Sequence, residues 1–432
     1  MGPVSTSAAA APKAGDVLEL TIGEVVHGGW CVSRLDDTGW VVFVRHALPG
    51  ERVSAVVTQA TARFARADAT RILQVSPDRV ETPCPYARPG GCGGCDWQHA
   101  SLAAQRALKA AVIRQQLSRI AGLDREVTVE ALAGDEAGLR WRTVVTFAVG
   151  RDGVAGLHKH RSHEIVPVSE CLIAHDLVDG ADVPGRSWPG ATAVEVSASP
   201  DSGERGVLVA GLRRAASLPD FAADSVQLVG RSGARTPVRG RGYLTHRAAG
   251  RDWRVTLGGF WQVHPGAADV LAASVLAALD PQPGEVALDL YSGVGLFAGL
   301  LAEAVGPGGS AVAIEHDPVA VRDARHNLRP WPWARAQRGD VGAVLRRDGL
   351  RDASLAVLDP PRTGAARAVV DALSGPAAAS LRRIAYVSCD PATLARDLRL
   401  LLDGGWQLAG LRGFDAFPMT HHVECLAILA RE

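Results

Sequence analysis

The hydrophobic rhythm of the chain changes twice. From Asp16 to about Ser76, short alternating runs are cut by turn signals: Val17 to Val25, Gly28-Gly29, Cys31 to Leu35, Asp37-Thr38-Gly39, Trp40 to Val44, Pro49-Gly50 and Glu51 to Val57. Period-two alternation with turns this close together predicts a small all-β barrel. Between Asp96 and Gly122, Leu102, Leu108, Ile113, Leu117 and Ile120 recur near a 3.6-residue period and predict a helix, with Ser101 available as a cap. Beyond Val127, the stretches Thr143 to Val149, Val154 to His158, Ala193 to Ser197 and Gly206 to Ala210 alternate like strands of a mostly antiparallel unit. Ser202 to Arg241 has no clear period and reads as a weakly patterned hairpin region. After about Leu257, strand and helix signals alternate, the pattern of a doubly wound parallel sheet.

At 432 residues the chain is too long for one ordinary core. The rhythm divides it into a disordered tail at 1–14, a barrel at 15–76, a central α+β domain at 77–245 and an α/β domain at 246–432. With 47% hydrophobic and 21% charged residues, the composition is that of a soluble globular protein. No apolar stretch is long enough to cross a bilayer, and the N-terminus has neither a basic start nor a long apolar core. A cytoplasmic monomer without membrane contact is the expectation.

Formal net charge is zero, and Lys13, Lys109 and Lys159 are the only lysines, so the totals do not ask for a nucleic-acid partner. The distribution says a little more. Arg140, Arg142, Arg151, His158, Lys159, His160, Arg161 and His163 form a basic block that reads either as solvated strand faces or as a phosphate-tracking surface. The run Val41-Val42-Phe43-Val44-Arg45-His46-Ala47-Leu48-Pro49-Gly50-Glu51-Arg52-Val53 resembles the TRAM module, a small barrel found on RNA-modifying enzymes. Arg63, Phe64, Arg66 and Arg71 could serve such a barrel in holding single-stranded RNA.

Seven cysteines, odd in number and clustered, do not resemble a secreted disulfide framework. Cys84, Cys92 and Cys95 lie within twelve residues, wrapped in Gly and Pro, and Cys171 follows downstream. This spacing points to metal ligation, with Zn²⁺ on four thiolates and an iron–sulfur cluster both open. Cys31 and Cys425 are expected to be buried.

Val286 to Leu290, then Tyr291-Ser292-Gly293-Val294-Gly295, reads as a strand, a glycine turn and the start of a helix. Such a turn lets a ligand approach the backbone at a helix N-terminus. Ala311 to Glu315 is a second strand ending in an acid about twenty residues on, where ribose hydroxyls bind in dinucleotide folds. The third glycine of the nicotinamide fingerprint is absent. The acid-x-x-x-Gly-x-Gly form resembles instead motif I of class I methyltransferases that use S-adenosylmethionine. Asp340 follows Gln337-Arg338-Gly339 at the position that fold gives a carboxylate near the adenine, and Leu355 to Leu358 ends in Asp359-Pro360-Pro361-Arg362. Amine methyltransferases carry an aromatic residue after the two prolines. Arg362 argues against nitrogen as the acceptor.

Cys389 ends a short apolar run, Ile384 to Val387, and Asp390-Pro391 breaks that strand. Alone it would read as core filler. It has company: Phe260-Trp261-Gln262-Val263, Asp289 to Gly295, Asp359-Pro-Pro-Arg362, Ser388-Cys389-Asp390-Pro391 with Thr393, Arg396 and Asp397, and Phe417-Pro418 with Thr420, His422, Val423 and Glu424. In order and spacing this set resembles the RNA uracil-C5 methyltransferase family. With the TRAM-like run and the four cysteines, the resemblance is to members that make 5-methyluridine in 23S ribosomal RNA and carry a four-iron cluster. The classical transfer-RNA enzymes lack both added features.

The resemblance implies a [4Fe-4S] cluster on Cys84, Cys92, Cys95 and Cys171 rather than zinc. It implies S-adenosylmethionine contacts at Gln262, Tyr291, Glu315, Asp340 and Asp359, Cys389 as the nucleophile that adds to uracil C6, and Glu424 as the base that removes the C5 proton. Phe260 or Trp261 could stack on a base flipped from the RNA. His264, where relatives commonly have Asn, and Leu296, where some have a polar residue, depart from the pattern. A transfer-RNA uridine methyltransferase and a non-catalytic RNA-binding or RNA-folding protein are the alternatives.

Overall fold

The computed structural model describes residues 11–35, 39–212, 214–350 and 352–431. Most of the expected N-terminal tail lies outside the described residues. Within it, Pro12 is already buried, and Gly15 donates its amide to Val57 O at 2.9 Å, so the last tail residues belong to the barrel.

The barrel is a six-stranded sheet of β1 (Val17–Thr21), β2 (Val25–Val26), β3 (Trp30–Arg34), β4 (Val41–Arg45), β5 (Arg52–Ala60) and β6 (Phe64–Gln74), in the order β1-β5-β6-β4-β3-β2. Alternation drives most of it: Val42, Val44, Val53, Ala55, Val57, Ala65 and Ala67 point into one core, with Val41, Phe43, Val56, Phe64 and Arg66 more exposed between them. Three register shifts in β5–β6 bend that long pair around the core.

The expected helix is shorter than its periodicity. Helix α1 (Leu102–Gln116) starts at Ser101, whose hydroxyl accepts the Ala104 amide, and it unwinds through a π turn at Leu117–Ala121 to left-handed Gly122. Residues 96–101 are not helical because their backbone is engaged elsewhere: Asp96 and Trp97 both donate amides to Met419 O, at 2.9 and 3.0 Å.

The central sheet has seven strands: β8 (Val144–Val149), β9 (Ala155–His158), β10 (Ile165–Pro167), β11 (Ala193–Ser199), β12 (Glu204–Ala210), β13 (Ser225–Val229) and β14 (Arg235–Arg239), with the one-turn helix α2 (Asp176–Asp179) before β11. It is antiparallel except where β12 runs parallel to β13. The weakly patterned region at 202–241 therefore holds three strands rather than one hairpin. Its last strand, with all five residues exposed, has no buried face to set a period.

Two features cross the expected boundaries. Strand β7 (Val129–Ala131), from the segment assigned to the central domain, adds to the edge of the C-terminal sheet beside β22. The boundary at 245/246 falls inside β15 (Tyr243–Ala248), which pairs with β16 (Arg251–Thr256) as a hairpin between the two sheets.

Helix α3 (Ala267–Leu279) leads into the C-terminal unit: β17 (Val286–Leu290), α4 (Leu296–Val305), β18 (Ser310–Glu315), α5 (Pro318–Asn327), β19 (Ala334–Arg338), α6 (Val341–Asp348), β20 (Leu355–Leu358), α7 (Arg367–Ser374), β21 (Arg383–Ser388), α8 (Pro391–Asp403), β22 (Gln407–Asp415) and β23 (Glu424–Ala430). The sheet order is β19-β18-β17-β20-β21-β23-β22-β7, with β23 antiparallel to both neighbours. The chain winds outward from β17 to β19 and then returns to β20, so the switch point lies between β17 and β20, where open α/β sheets bind ligands. Asp317, Asp340 and Asp390 each cap the helix that follows, and Pro318 and Pro391 stand in the first turns of theirs. Among the described residues no helix is long and apolar enough to cross a membrane.

Helix α1 is joined to the C-terminal sheet by a buried ion pair: Lys109 Nζ lies 2.5 Å from Asp415 Oδ1 and donates to Phe417 O at 3.0 Å. Burial lowers the Lys109 pKa and the Asp415 charge opposes that. Lys109→Ala leaves the Asp415 charge buried without its partner. The expected cost is about 3–5 kcal/mol, read as a lower urea midpoint; an unchanged midpoint contradicts this role.

Candidate active site

The glycine turn after β17 is built by conformation more than by space. Tyr291, Gly293 and Gly295 all have positive φ (65°, 53° and 88°), and a Cβ on Gly293 would meet nothing within 4 Å. Tyr291 tolerates the strain because its amide bonds Ile314 O and its hydroxyl accepts the Ala366 amide at 3.2 Å. Glu315, at the end of β18, ties that strand's end to the glycine turn: Oε2 accepts the Gly293 amide at 3.0 Å, and Oε1 accepts those of His316 and Asp317. Asp340 is engaged through Oδ1 as the cap of α6, bonding the Ala343 amide. Asp359 stands at the end of β20, and burial pushes its carboxyl up to about 7. Gln262 is buried on the loop that follows the β15–β16 hairpin. Tyr291, Glu315, Asp340 and Asp359 thus follow the C-terminal ends of four adjacent strands, and Gln262 comes in from a separate loop.

Asp289 belongs to the glycine motif but was not among the expected contacts. It is 1% exposed; Oδ2 accepts the Ala298 amide at 2.8 Å, while Oδ1 has no partner. Burial pushes its carboxyl up to about 8, against the pull of that amide, with Asp359 and Glu315 adding to the rise. The buried Ser292 hydroxyl is likewise unpartnered. An orphaned carboxyl oxygen and a hydroxyl beside the glycine turn leave bonds for a polar ligand such as S-adenosylmethionine to complete.

Cys389 and Glu424 meet at the same sheet edge. The last paired residues of β21 and β23 are Ser388 and Cys425, so Cys389 and Glu424 stand one step beyond them on adjacent strands. Cys389 is half-buried, whereas Cys31 and Cys425 are fully buried, as expected of core filler. Burial pushes the Cys389 thiol up to about 12, the Glu424 charge adds to this, and Arg362 opposes it. Glu424 is buried and its Oε1 has no partner. Its pKa lies well above the usual carboxylate range through burial and then Asp359, again opposed by Arg362. A thiol, a proton-holding acid and a guanidinium beside a cofactor cleft make a site for nucleophilic and acid–base chemistry.

Comparison with known proteins bears on what this site serves. The family model described as tRNA (Uracil-5-)-methyltransferase matches residues 350–432, the stretch with Asp359, Cys389 and Glu424. The TRAM domain model matches 13–70, and the Protein-L-isoaspartate(D-aspartate) O-methyltransferase model matches 265–338. An uncharacterized RNA methyltransferase of Streptomyces coelicolor is 51% identical over 430 residues, covering 96% of this chain and 93% of that one. Another from Bifidobacterium longum is 33% identical, covering 96% of each chain. This chain belongs to the RNA uracil-5 methyltransferase family. The crystal structure of Pyrococcus abyssi tRNA (uracil-54, C5)-methyltransferase with S-adenosyl-L-homocysteine shares the fold, with a TM-score of 0.71 and 23% identity over 96% of this chain and 100% of that one. As a member of that family, this chain is an S-adenosylmethionine-dependent RNA methyltransferase.

In this RNA methyltransferase, Cys84, Cys92, Cys95 and Cys171 line one cavity of about 320 Å³. Two of these thiols have a donor beside them: Gly94 N lies 3.4 Å from Cys92 Sγ and Gln98 Nε2 lies 3.2 Å from Cys95 Sγ. Burial, and then Cys92, push Cys171 up to about 11. Among the described residues no three His, Cys, Asp or Glu side chains are placed to hold a single metal ion.

The basic block is less continuous than its sequence. Arg140 pairs with Asp179, Glu170 and Asp176, and Lys159 pairs with Glu164. Arg63 and Arg71 of the barrel are exposed, while Arg66 lies over Phe64 and Trp30. Of the two aromatic candidates, Trp261 is buried and stacked on His246, and Phe260 is 63% exposed, so Phe260 is the one free to meet a base. His264 is buried against Trp141, with Nε2 3.6 Å from Asp135. Leu296 is buried at the start of α4. Both departures from the family pattern fill packing positions.

The raised pKa values give a test of the cleft. A cationic ligand beside Asp289 and Asp359 lowers them, so S-adenosylmethionine binding at pH 7 should release on the order of one proton. S-adenosylhomocysteine, without the sulfonium charge, should release fewer. Calorimetry in buffers of different ionisation enthalpy reads this directly, and a binding heat that does not depend on the buffer contradicts it.

Proposed function

We propose that the protein methylates C5 of one uridine in structured RNA, and that this RNA is 23S ribosomal RNA. The observation that carries the reading is the juxtaposition of Cys389 and Glu424 beside Asp359 at the switch-point edge of the sheet. Uracil C5 is a weak nucleophile. In this mechanism Cys389 gives its thiol proton to solvent, and the thiolate adds to C6 and pushes electrons onto the C4 carbonyl, which makes C5 nucleophilic. S-adenosylmethionine, when bound, would supply the electrophilic methyl carbon, the methyl–sulfur bond breaking as the C5–methyl bond forms so that S-adenosylhomocysteine leaves. The Cys389 adduct then carries both a methyl group and a proton on C5. Glu424 removes that proton, the C5–C6 double bond re-forms, the sulfur leaves C6, and Glu424 passes its proton to solvent.

Burial raises both the Cys389 and the Glu424 pKa, and Arg362 opposes both rises without cancelling them, so it is the group that works toward the thiolate needed for attack and the carboxylate needed for proton removal. Gln262, Tyr291, Glu315, Asp340 and Asp359 would hold the cofactor, and exposed Phe260 would stack on RNA bases. The enzyme would act as a cytoplasmic monomer.

The four-cysteine cavity supports the ribosomal reading. Cys84, Cys92, Cys95 and Cys171 line one cavity, and they are the residues that would hold a [4Fe-4S] group there. With all four irons ligated, such a cluster leaves no open coordination position and would serve structure or RNA placement. A transfer-RNA substrate is the second reading, favoured by the name of the Pyrococcus neighbour.

Cys389→Ala should abolish methyl transfer while leaving S-adenosylmethionine affinity within about threefold, and Glu424→Gln should accumulate a covalent protein–RNA adduct that survives denaturing gels. Full turnover by Cys389→Ala overturns the mechanism. Protein purified without oxygen should contain iron and acid-labile sulfide in about equal amounts, near four of each per chain. One zinc per chain without sulfide overturns the cluster.

A further inference from the structure

The loop from Phe417 to Val423, which delivers Glu424 to the active site, is held from outside itself. Met419 has φ 66°, a conformation that a non-glycine residue keeps only when its surroundings enforce it. The enforcing groups come from the stretch that follows the last clustered cysteine. Met419 O accepts the Asp96 and Trp97 amides, and the Met419 amide goes to Gln105 Oε1 at 2.7 Å. Asp96 makes the charged contact: Oδ2 lies 2.6 Å from His421 Nδ1 and accepts the His421 amide at 3.1 Å.

His421 connects the loop to the reacting groups. Its ring lies 4.0 Å from that of His422, and His422 Nε2 lies 3.3 Å from Arg362 Nη2. Arg362 is the cation that acts on both Cys389 and Glu424. The barrel closes on the same pair. Arg45 Nη2 lies 3.5 Å from Asp96 Oδ1, and Gly29 sits so close that a Cβ there would come within 2.9 Å of His421 Cβ and 3.3 Å of Asp96 Cβ.

We propose that Asp96 is a positioning residue: through its paired bonds to His421 it fixes the Phe417–Val423 loop and so sets where Glu424 and Arg362 stand. The barrel and the cysteine segment thereby act on catalysis as well as on RNA binding. Asp96 touches neither substrate nor cofactor in this scheme. The inference rests on the methyltransferase reading for its effect on rate, but its structural part stands apart from that reading.

The test is Asp96→Asn in the full-length protein as purified, with hydrogen exchange and single-turnover kinetics measured together. Exchange at the His421 amide and its loop neighbours should quicken, while exchange in the barrel core at Val42 and Val44 stays unchanged. The rate of methyl transfer should fall by about 100-fold, the scale of a small misplacement at a reacting centre, with RNA and cofactor dissociation constants within about threefold. If Asp96→Asn does not fold, His421→Ala removes the same bond from its more exposed end and carries the same expectations. Unchanged loop exchange overturns the clamp, whatever the RNA result. Quickened exchange with an undiminished rate, or with loss confined to RNA affinity, overturns the positioning role. Quickened exchange in a protein whose wild type methylates no RNA upholds the clamp and sinks the methyltransferase reading instead.

Discussion

Withdrawing carboxyl groups from water at one sheet edge is the constraint on which the site depends. Asp289, Asp359 and Glu424 are all pushed upward by burial, and Asp289 and Glu424 each retain an oxygen without a partner. A fold does not keep such groups for stability, because an unsatisfied buried oxygen costs about 1–3 kcal/mol. The arrangement makes sense if a cationic ligand and a proton-bearing substrate complete it. The sheet makes that completion local. The reversal between β17 and β20 opens the cleft, and the antiparallel insertion of β23 beside β21 brings an acid from the end of the chain next to a cysteine from the strand before.

The other two parts of the chain are bound into this edge. His27 of the barrel lies 3.1 Å from Asp390, the cap that directly follows Cys389, and Gly29 lies against His421. The cysteine segment supplies the amides and the carboxylate that hold the loop before Glu424. A barrel of this kind is read first as an RNA-holding module, yet here it also braces Asp390 and His421, beside the two residues proposed to react. That dual role explains why a small barrel and a cysteine-lined cavity, neither of which contributes a reacting atom, pack so tightly against the C-terminal unit.

Much of this was legible in the sequence because it is local. The strand–glycine–helix turn at Leu290–Leu296, the Asp-Pro stops, and Cys389 at a strand end follow from short-range sterics and capping. The cysteine cluster announces itself by spacing. What was not legible depends on contacts far apart in the chain. Periodicity alone extends the helix back to Asp96, because nothing local reveals that the Asp96 and Trp97 amides are taken by Met419. Strand β14 has no buried face and so no pattern, and β7 is too short to show which sheet it joins. Arg140 reads as a free basic residue until Asp179, Glu170 and Asp176 are found around it. Which of Phe260 and Trp261 the core buries was likewise not visible in the sequence.

The central claim is that Cys389, by adding to C6, makes C5 of one uridine accept a methyl group, and the most direct measurement is a map of 5-methyluridine across ribosomal and transfer RNA from cells that lack this protein. The account predicts loss of one 5-methyluridine from 23S ribosomal RNA with transfer RNA unaffected, restored by the wild-type chain and not by Cys389→Ser. A complete and unchanged set of 5-methyluridines in both RNAs would contradict it.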